Sequence, residues 1–444
     1  MPESRSMNKT PTTPTTPSAS APSASERRRA LALSTFAFAI CFAVWTLFSI
    51  IGLRIKQELG LSEAQFGLLV ATPVLTGSLS RLALGLWAER HGGRLVFALQ
   101  MGVTALAVWL LTMAESYPMF LLAALGLGLA GGSFSIGVSY VSRWYPARLQ
   151  GTALGIYGAG NVGAALTSFV APFLVAAIGW EGTARVYAAV LGASALLFWV
   201  LARTDPVHEA RREAAARPIS LARQLAPLKD LRVWRFSAYY FFVFGGFVAL
   251  ASFLPRYYVG AYGLDLTTAG MLTTAYALPG AVFRAFGGWM SDRRGARYVL
   301  YRVFAASALL LALMSFPGGS FLIAGISGPM RLDLALPLWG FAALTMLLGF
   351  AMSLGSAAVY KHIPVYYPEH VGAVGGLVGM IGGLGGFFLP IAFGLLLDLT
   401  DIWTAPFLLL TLMVTGTLWW MHASIRRMES GATQMPGRNP QLSG

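Results

Sequence analysis

The chain has 444 residues, of which 56% are hydrophobic and only 11% charged, with a formal net charge of +14. That is too little charge to cover a soluble protein of this size, so composition excludes a soluble class and points to a bilayer. The positive excess does not make a nucleic-acid surface either, because the basic residues recur at alternate helix ends instead of gathering on one face.

In chain order, residues 1–29 are rich in Pro, Ser and Thr and close on Glu26-Arg27-Arg28-Arg29, the composition of a disordered tail. They do not read as a signal peptide, since the apolar run that follows is too long and is succeeded by eleven more. Crossing a hydrocarbon core takes about 20 apolar residues. Such runs predict twelve spans, at 30–53, 64–88, 95–113, 118–142, 150–178, 183–202, 233–255, 267–290, 297–316, 335–360, 370–396 and 402–422. Between the sixth and seventh, residues 203–232 carry Arg203, Arg211, Arg212, Arg217, Arg223, Lys229 and Arg232 with three prolines, the one long polar connection. It divides the chain into a six-helix bundle at 30–202 and another at 233–422, with a tail at 423–444. The expected fold class is an all-α integral membrane protein of two pseudo-symmetric six-helix bundles.

If both termini are cytoplasmic, 25 of the 32 Lys and Arg lie on that side and five, Arg54, Lys56, Arg185, Arg256 and Arg331, on the other. Positive-inside counting therefore assigns both ends to the cytoplasm. Cys41 is the only cysteine, which excludes an intrachain disulfide and a thiolate metal site. The five histidines, His91, His208, His362, His370 and His422, have no metal-ligand spacing, and no nucleophile elbow or phosphate loop is present. No enzyme, cofactor or metal is expected.

The two remaining basic residues are Arg81 and Arg284, each inside a span. A charge there costs roughly 2.5–3.5 kcal/mol on insertion scales, which makes an intramembrane Arg a functional-site candidate. Arg284 minus Arg81 is 203, and Asp292 minus Glu89 is also 203, so one helix-loop unit occurs twice. Its loops read G-x-x-x-(D/E)-R-x-G-x-R, with Gly85, Glu89, Arg90, Gly92 and Arg94 answered by Gly288, Asp292, Arg293, Gly295 and Arg297. An acid at a helix end beside arginines can pair across to a neighbouring helix and lock that side. Every one of the 18 acidic residues falls in a tail, loop or helix end, so no carboxylate is expected to neutralise the two arginines.

The fifth and eleventh spans are dense in glycine. Gly155, Gly158, Gly160 and Gly163 in the first answer Gly376, Gly379, Gly382 and Gly385 in the second, the last two pairs at an offset of 222. The increase from 203 to 222 predicts 19 extra residues in the second half, placed most simply in the loop at 317–337. Small residues at such spacing are a membrane packing interface. Asn161, an amide within that stripe, needs a partner on a dry helix face.

The paired loops resemble the signature of the major facilitator superfamily, whose twelve helices form two parallel six-helix repeats. More specifically, GLAGGSFSIGVSYVSRWYP with GTALGIYGAGNVG, and GSAAVYKHIPVYYPEHVGAVGGLVGMIGGLGGFFLP, resemble the nitrate signatures of its nitrate/nitrite porter family. The resemblance covers nearly all twelve spans. It implies that Arg81 and Arg284 clamp a nitrogen oxyanion, that Tyr240 and Asn161 add neutral hydrogen bonds, and that Phe134, Phe244 and Tyr360 form aromatic walls. The chain departs from some members in Gly383, opposite Asn161 of the first motif, and in Ser133, where Asn is common. A Lys after Tyr360 resembles the subgroup that couples nitrate uptake to protons, which makes Lys361 and His362 candidate coupling residues. A lysine snorkelling to headgroups is the plainer alternative.

Residue chemistry agrees. A planar guanidinium fork suits a planar anion better than a point-charge ammonium does. The expected function is alternating-access transport of nitrate and nitrite, with proton symport preferred to nitrate/nitrite exchange and, behind both, a porter for formate or oxalate. The expected partners are nitrate, nitrite, protons and the lipid bilayer; the expected setting is a bacterial inner membrane, with the carrier acting as a monomer.

Overall fold

The computed structural model describes residues 22–213, 220–326 and 328–433. Most of the predicted 1–29 tail, Arg217 of the central loop and 434–444 of the C-terminal tail lie outside them. Among the described residues, ten helical stretches are long and apolar enough to cross a membrane. The longest of these, Ala147–Leu201, doubles back at Gly179 (φ 74°, ψ 172°), a conformation that a side chain would strain, and so supplies two crossings. One further crossing runs through Leu266–Val282 and Arg284–Arg294, interrupted at Phe283. Twelve spans result, as the sequence predicts, and the chain is a multi-pass integral membrane protein.

Span 1 begins earlier than expected. Ser23 caps Ala24–Trp45, accepting from the Glu26 amide while the Glu26 carboxylate accepts from Ser23, so the last residues assigned to the tail are helix. The 19 additional residues are where the offsets place them. Gly319–Gly325 and Gly328–Leu334 pair antiparallel between spans 9 and 10, the one departure from an all-α fold among the described residues.

Span 2 (Glu63–His91) and span 3 (Gly93–Leu111) turn at Gly92 (φ 88°), while span 8 and span 9 (Ala296–Met314) turn at Gly295 (φ 85°). The signature glycines thus stand where the loop needs a positive φ. The two loops lie on one face of the molecule, called the loop face below. Just beneath it the chain halves meet through glycine. A Cβ on Gly155 of span 5 would lie 2.5 Å from the Arg284 carbonyl, and one on Gly376 of span 11 (Val371–Thr400) 2.8 Å from the Arg81 carbonyl. At the opposite face a Cβ on Gly67, Gly270 or Gly394 would meet nothing within 4 Å.

The obstacle at the first two positions is main chain. Gly155→Ala and Gly376→Ala are each expected to cost about 1–3 kcal/mol of overpacking and to hold the halves apart at the loop face. Both variants should fold but lose most of their transport; full activity with alanine at either position would show that this contact is not part of the cycle.

Candidate functional site

Arg81 and Arg284 lie midway through spans 2 and 8, 1% and 3% exposed. Arg81 does not snorkel to the interface. Its Nε donates to the Gly131 carbonyl (3.1 Å) and its Nη1 crosses to the Gly379 carbonyl on span 11 (2.8 Å). Arg284 Nη2 donates to the Tyr240 hydroxyl at 2.8 Å. Among the described residues neither guanidinium pairs with a carboxylate. A guanidinium has five N–H donors, so each arginine retains several toward the space between the halves.

Both charges share the same two rings. Arg81 Cζ is 5.7 Å from the Phe134 centroid and 5.0 Å from Phe244; the corresponding distances for Arg284 are 5.5 and 5.6 Å. Desolvated cation–π contacts reach about 2 kcal/mol, which partly replaces the missing counter-ion. The Tyr240 ring lies within 6° of the Phe134 plane and 7° of the Phe244 plane, with centroids 6.3 and 5.0 Å away. Phe134 and Phe244 therefore present parallel faces. Tyr360 does not join them: its ring is at 84° to Phe134 and 79° to Tyr240, and its hydroxyl donates to the Gly375 carbonyl. It closes a side instead of forming a wall above or below.

Local helix geometry places these groups. Span 7 passes from Leu231–Tyr240 through a π-helical stretch, Phe241–Gly246, so the widened turn falls on Tyr240 and Phe244. Span 4 tightens to a 3₁₀ turn at Leu129–Gly132, next to the carbonyl that holds Arg81. Span 5 is tight at Ala159–Asn161, between Gly158 and Gly160. The corresponding glycines of span 11, Gly379 and Gly382, are one residue further apart, in unbroken α-helix. Three 3₁₀ residues rising about 2.0 Å each cover the same length as four α residues at about 1.5 Å. The tight turn thus absorbs the missing residue. Gly158 faces Arg284 as Gly379 faces Arg81, Gly160 packs on Phe38 as Gly382 packs on Tyr240, and Gly163 and Gly385 meet main chain of spans 1 and 7.

Asn161, one turn beyond Gly158, is half-buried and its Oδ1 has no hydrogen-bond partner among the described residues. Ser133, at the position where Asn is common, spends its hydroxyl on the Ala130 carbonyl. Two residues absent from the sequence reading also stand here. The Trp45 ring is 5.8 Å from Arg81 Cζ, and the buried, unpartnered Ser135 hydroxyl lies 3.4 Å from the Cβ position of Gly379. The GSFSIG segment offers three hydroxyl or aromatic side chains in a row, and only the π-face of Phe134 and the unpartnered hydroxyl of Ser135 single those two out.

At the loop face the two signature acids turn inward from their helix ends, Glu89 buried and Asp292 half-buried with its side chain 6% exposed. Glu89 is 1% exposed and accepts from the Gly372 and Ala373 amides at 2.6 and 3.2 Å, the N-terminus of span 11. Asp292 accepts from the Gly151 and Thr152 amides at 2.9 and 2.6 Å and from the Thr152 hydroxyl at 2.7 Å, the N-terminus of span 5. Each acid thus crosses to the other half, but to helix N-termini instead of arginines, where the exposed amides and the dipole favour negative charge. Arg90 is exposed; Arg293 lies over Trp289 at 4.5 Å; Arg94 donates to the Trp199 carbonyl and covers the Trp199 ring at 4.6 Å.

The two locks are unequal. Lys361, in span 10 (Leu338–Tyr366), is 9% exposed, donates to the Ala147 carbonyl and forms an ion pair with Asp292 at 2.6 Å, so it is no headgroup anchor. The position equivalent to Lys361 in span 4 is Ser139, at the motif offset of 222, and Glu89 Oε2 is left buried without a partner. His362 stacks on Phe236, 5.2 Å apart and 4° from parallel, away from the lock.

Known proteins agree with this architecture. The family model described as Major Facilitator Superfamily matches residues 33–330 and 240–433. The chain is 39% identical, over 94% of its length and 96% of the relative's, to a protein named probable nitrate/nitrite antiporter NarK1 from Thermus thermophilus. It is 31% identical, over 86% of its length and 90% of the relative's, to a nitrite extrusion protein from Bacillus subtilis (strain 168). Among solved structures, the human organic anion transporter MFSD10 superposes with a TM-score of 0.67 at 16% identity, covering 89% of this chain and 99% of its own. The transporter FucP in its outward conformation gives 0.65 at 15% identity, with coverage of 88% and 97%. Extended identity to these transporters, on a fold that carries both signature loops and both glycine stripes, makes this chain a member of the nitrate/nitrite porter family of the major facilitator superfamily.

Proposed function

We propose that this chain carries nitrate and nitrite across a bacterial inner membrane by alternating access. The observation that carries the reading is the pair of buried arginines, one from each half, flanked by the parallel rings of Phe134 and Phe244 and without a carboxylate. A flat monoanion between them meets guanidinium donors in its plane and aromatic faces on either side, while Tyr240 retains a proton to donate. The division at 203–232 makes two bundles, 30–202 and 233–422, that rock about this site. The basic residues put the loop face and both termini in the cytoplasm. In this arrangement the cytoplasmic side is shut by glycine contacts and by Glu89 and Asp292. One chain contains both arginines, so a monomer suffices.

Two coupling modes each have an observation behind them. Proton symport is favoured by Lys361, a titratable group buried in an ion pair that must break when the loop face opens. Exchange is favoured by the uncompensated arginines, since an empty site with two like charges opposes closure until an anion enters. Labelled-nitrate uptake into proteoliposomes separates them. Acceleration by an imposed proton gradient alone is expected for symport, and dependence on internal nitrite for exchange. No uptake under either condition, or equal inhibition by formate, would remove the substrate assignment.

A further inference from the structure

We propose that the second half of the chain holds a binding pocket for a phosphate-bearing anion at the loop face, separate from the transport site. The pocket is an open cleft with a cavity volume of about 40 Å³, lined by Arg232, Arg235, Arg297, His362 and Tyr366, with Leu300, Met421 and Ile425 as its apolar wall. No acid lines it. The nearest candidate, Asp230, already accepts from the Arg232 amide and the Tyr367 hydroxyl. Arg232 is held over the Tyr366 ring at 4.8 Å, and Arg235 Nε is buried without a hydrogen-bond partner. Arg232 and Arg235 are three residues apart on one helix and share a face. Tyr240 of the transport site is five residues beyond Arg235, about 7.5 Å along the axis.

The internal repeat shows that the fold does not require these charges. A matching but smaller pocket in the first half, which also holds Arg29, Ala202 and an Arg203 paired with Glu26 at 2.6 Å, is lined by Ala30, Leu33, Tyr140 and Trp144. By the offsets that superpose the halves, 202 for spans 1 and 7 and 222 for spans 4 and 10, these are the counterparts of Arg232, Arg235, His362 and Tyr366. Two neutral residues have become two arginines and a phenol has become an imidazole, while the aromatic floor is kept. Converging guanidinium groups are the usual receptor for phosphate oxygens. A basic pocket between spanning helices at a membrane face, with an apolar wall, is the arrangement that takes an anionic lipid headgroup; free phosphate offers the same oxygens.

Native mass spectrometry of the full-length protein, supplied with phosphatidylglycerol or phosphatidylcholine, with and without inorganic phosphate, tests this. Phosphatidylglycerol is expected to be retained and phosphatidylcholine not. Arg235→Gln and Arg232→Gln should each lower retention at least five-fold, and Arg235→Lys should restore most of it. If millimolar inorganic phosphate displaces the lipid from wild type, free phosphate shares the pocket; if it does not, the headgroup is the occupant, and either result supports the site. Unchanged retention in both glutamine variants, or equal retention of the two lipids, would overturn it. None of these readouts depends on nitrate transport.

Discussion

Arg81→Lys and Arg284→Lys are each expected to lower nitrate uptake on the order of 10- to 100-fold while leaving a folded protein. Lysine keeps the charge, so the electrostatics of the empty site change little. It loses the planar fork, and a hydrogen bond to a charged group contributes about 1.5–3 kcal/mol, one to two decades of affinity. It also cannot reproduce the existing scaffold. The Arg81 side chain holds Gly131 and Gly379 while still facing the site, and the Arg284 side chain bonds Tyr240 while lying 5.5 and 5.6 Å from the Phe134 and Phe244 rings. Uptake per molecule, with melting temperature as the folding control, is the measurement. Wild-type rates from both variants would dispose of the clamp.

The second large effect is an inequality. Asp292→Asn is expected to destabilise the closed loop face much more than Glu89→Gln, although the two acids are equivalent by sequence. Removing the Asp292 charge leaves Lys361, 9% exposed, with only the Ala147 carbonyl. Breaking a buried ion pair from one side costs about 3–5 kcal/mol. Removing the Glu89 charge weakens only a cap on a helix N-terminus, about 0.5–2 kcal/mol. Spin-label distances between the loop-face ends of the two halves should therefore shift toward separation in Asp292→Asn and only slightly in Glu89→Gln. Lys361→Met should rescue much of the Asp292→Asn defect by removing the stranded charge. Equal shifts in both acid variants would show that Lys361 adds nothing to the lock.

Much of this was legible in the sequence because the repeat is written in side chains. Arg81 and Arg284 stand out as charges in apolar runs, Gly92 and Gly295 as turn residues, and the 19-residue surplus as a shift between two offsets. What sequence could not supply is what lies in the main chain. The Gly131 and Gly379 carbonyls that orient Arg81, and the amides of Gly151, Thr152, Gly372 and Ala373 that receive the acids, have no letter of their own. Nor could it show that Lys361, a coupling candidate with headgroup anchoring as the alternative, meets Asp292, 69 positions away.

The receiving side of each lock is built from peptide amides, and that fixes what variation the gate can tolerate. Apart from proline, no substitution deletes an amide, so drift at 371–373 leaves the chemistry of that lock intact, and drift at 150–152 can remove only the Thr152 hydroxyl. Bulk is another matter: a Cβ on Gly151 would lie 2.6 Å from Asp292 Oδ1, and one on Gly372 2.8 Å from Glu89 Cγ. Selection on the gate therefore acts asymmetrically, on chemical identity at the two carboxylates and, the Thr152 hydroxyl aside, on volume at the helix starts that receive them.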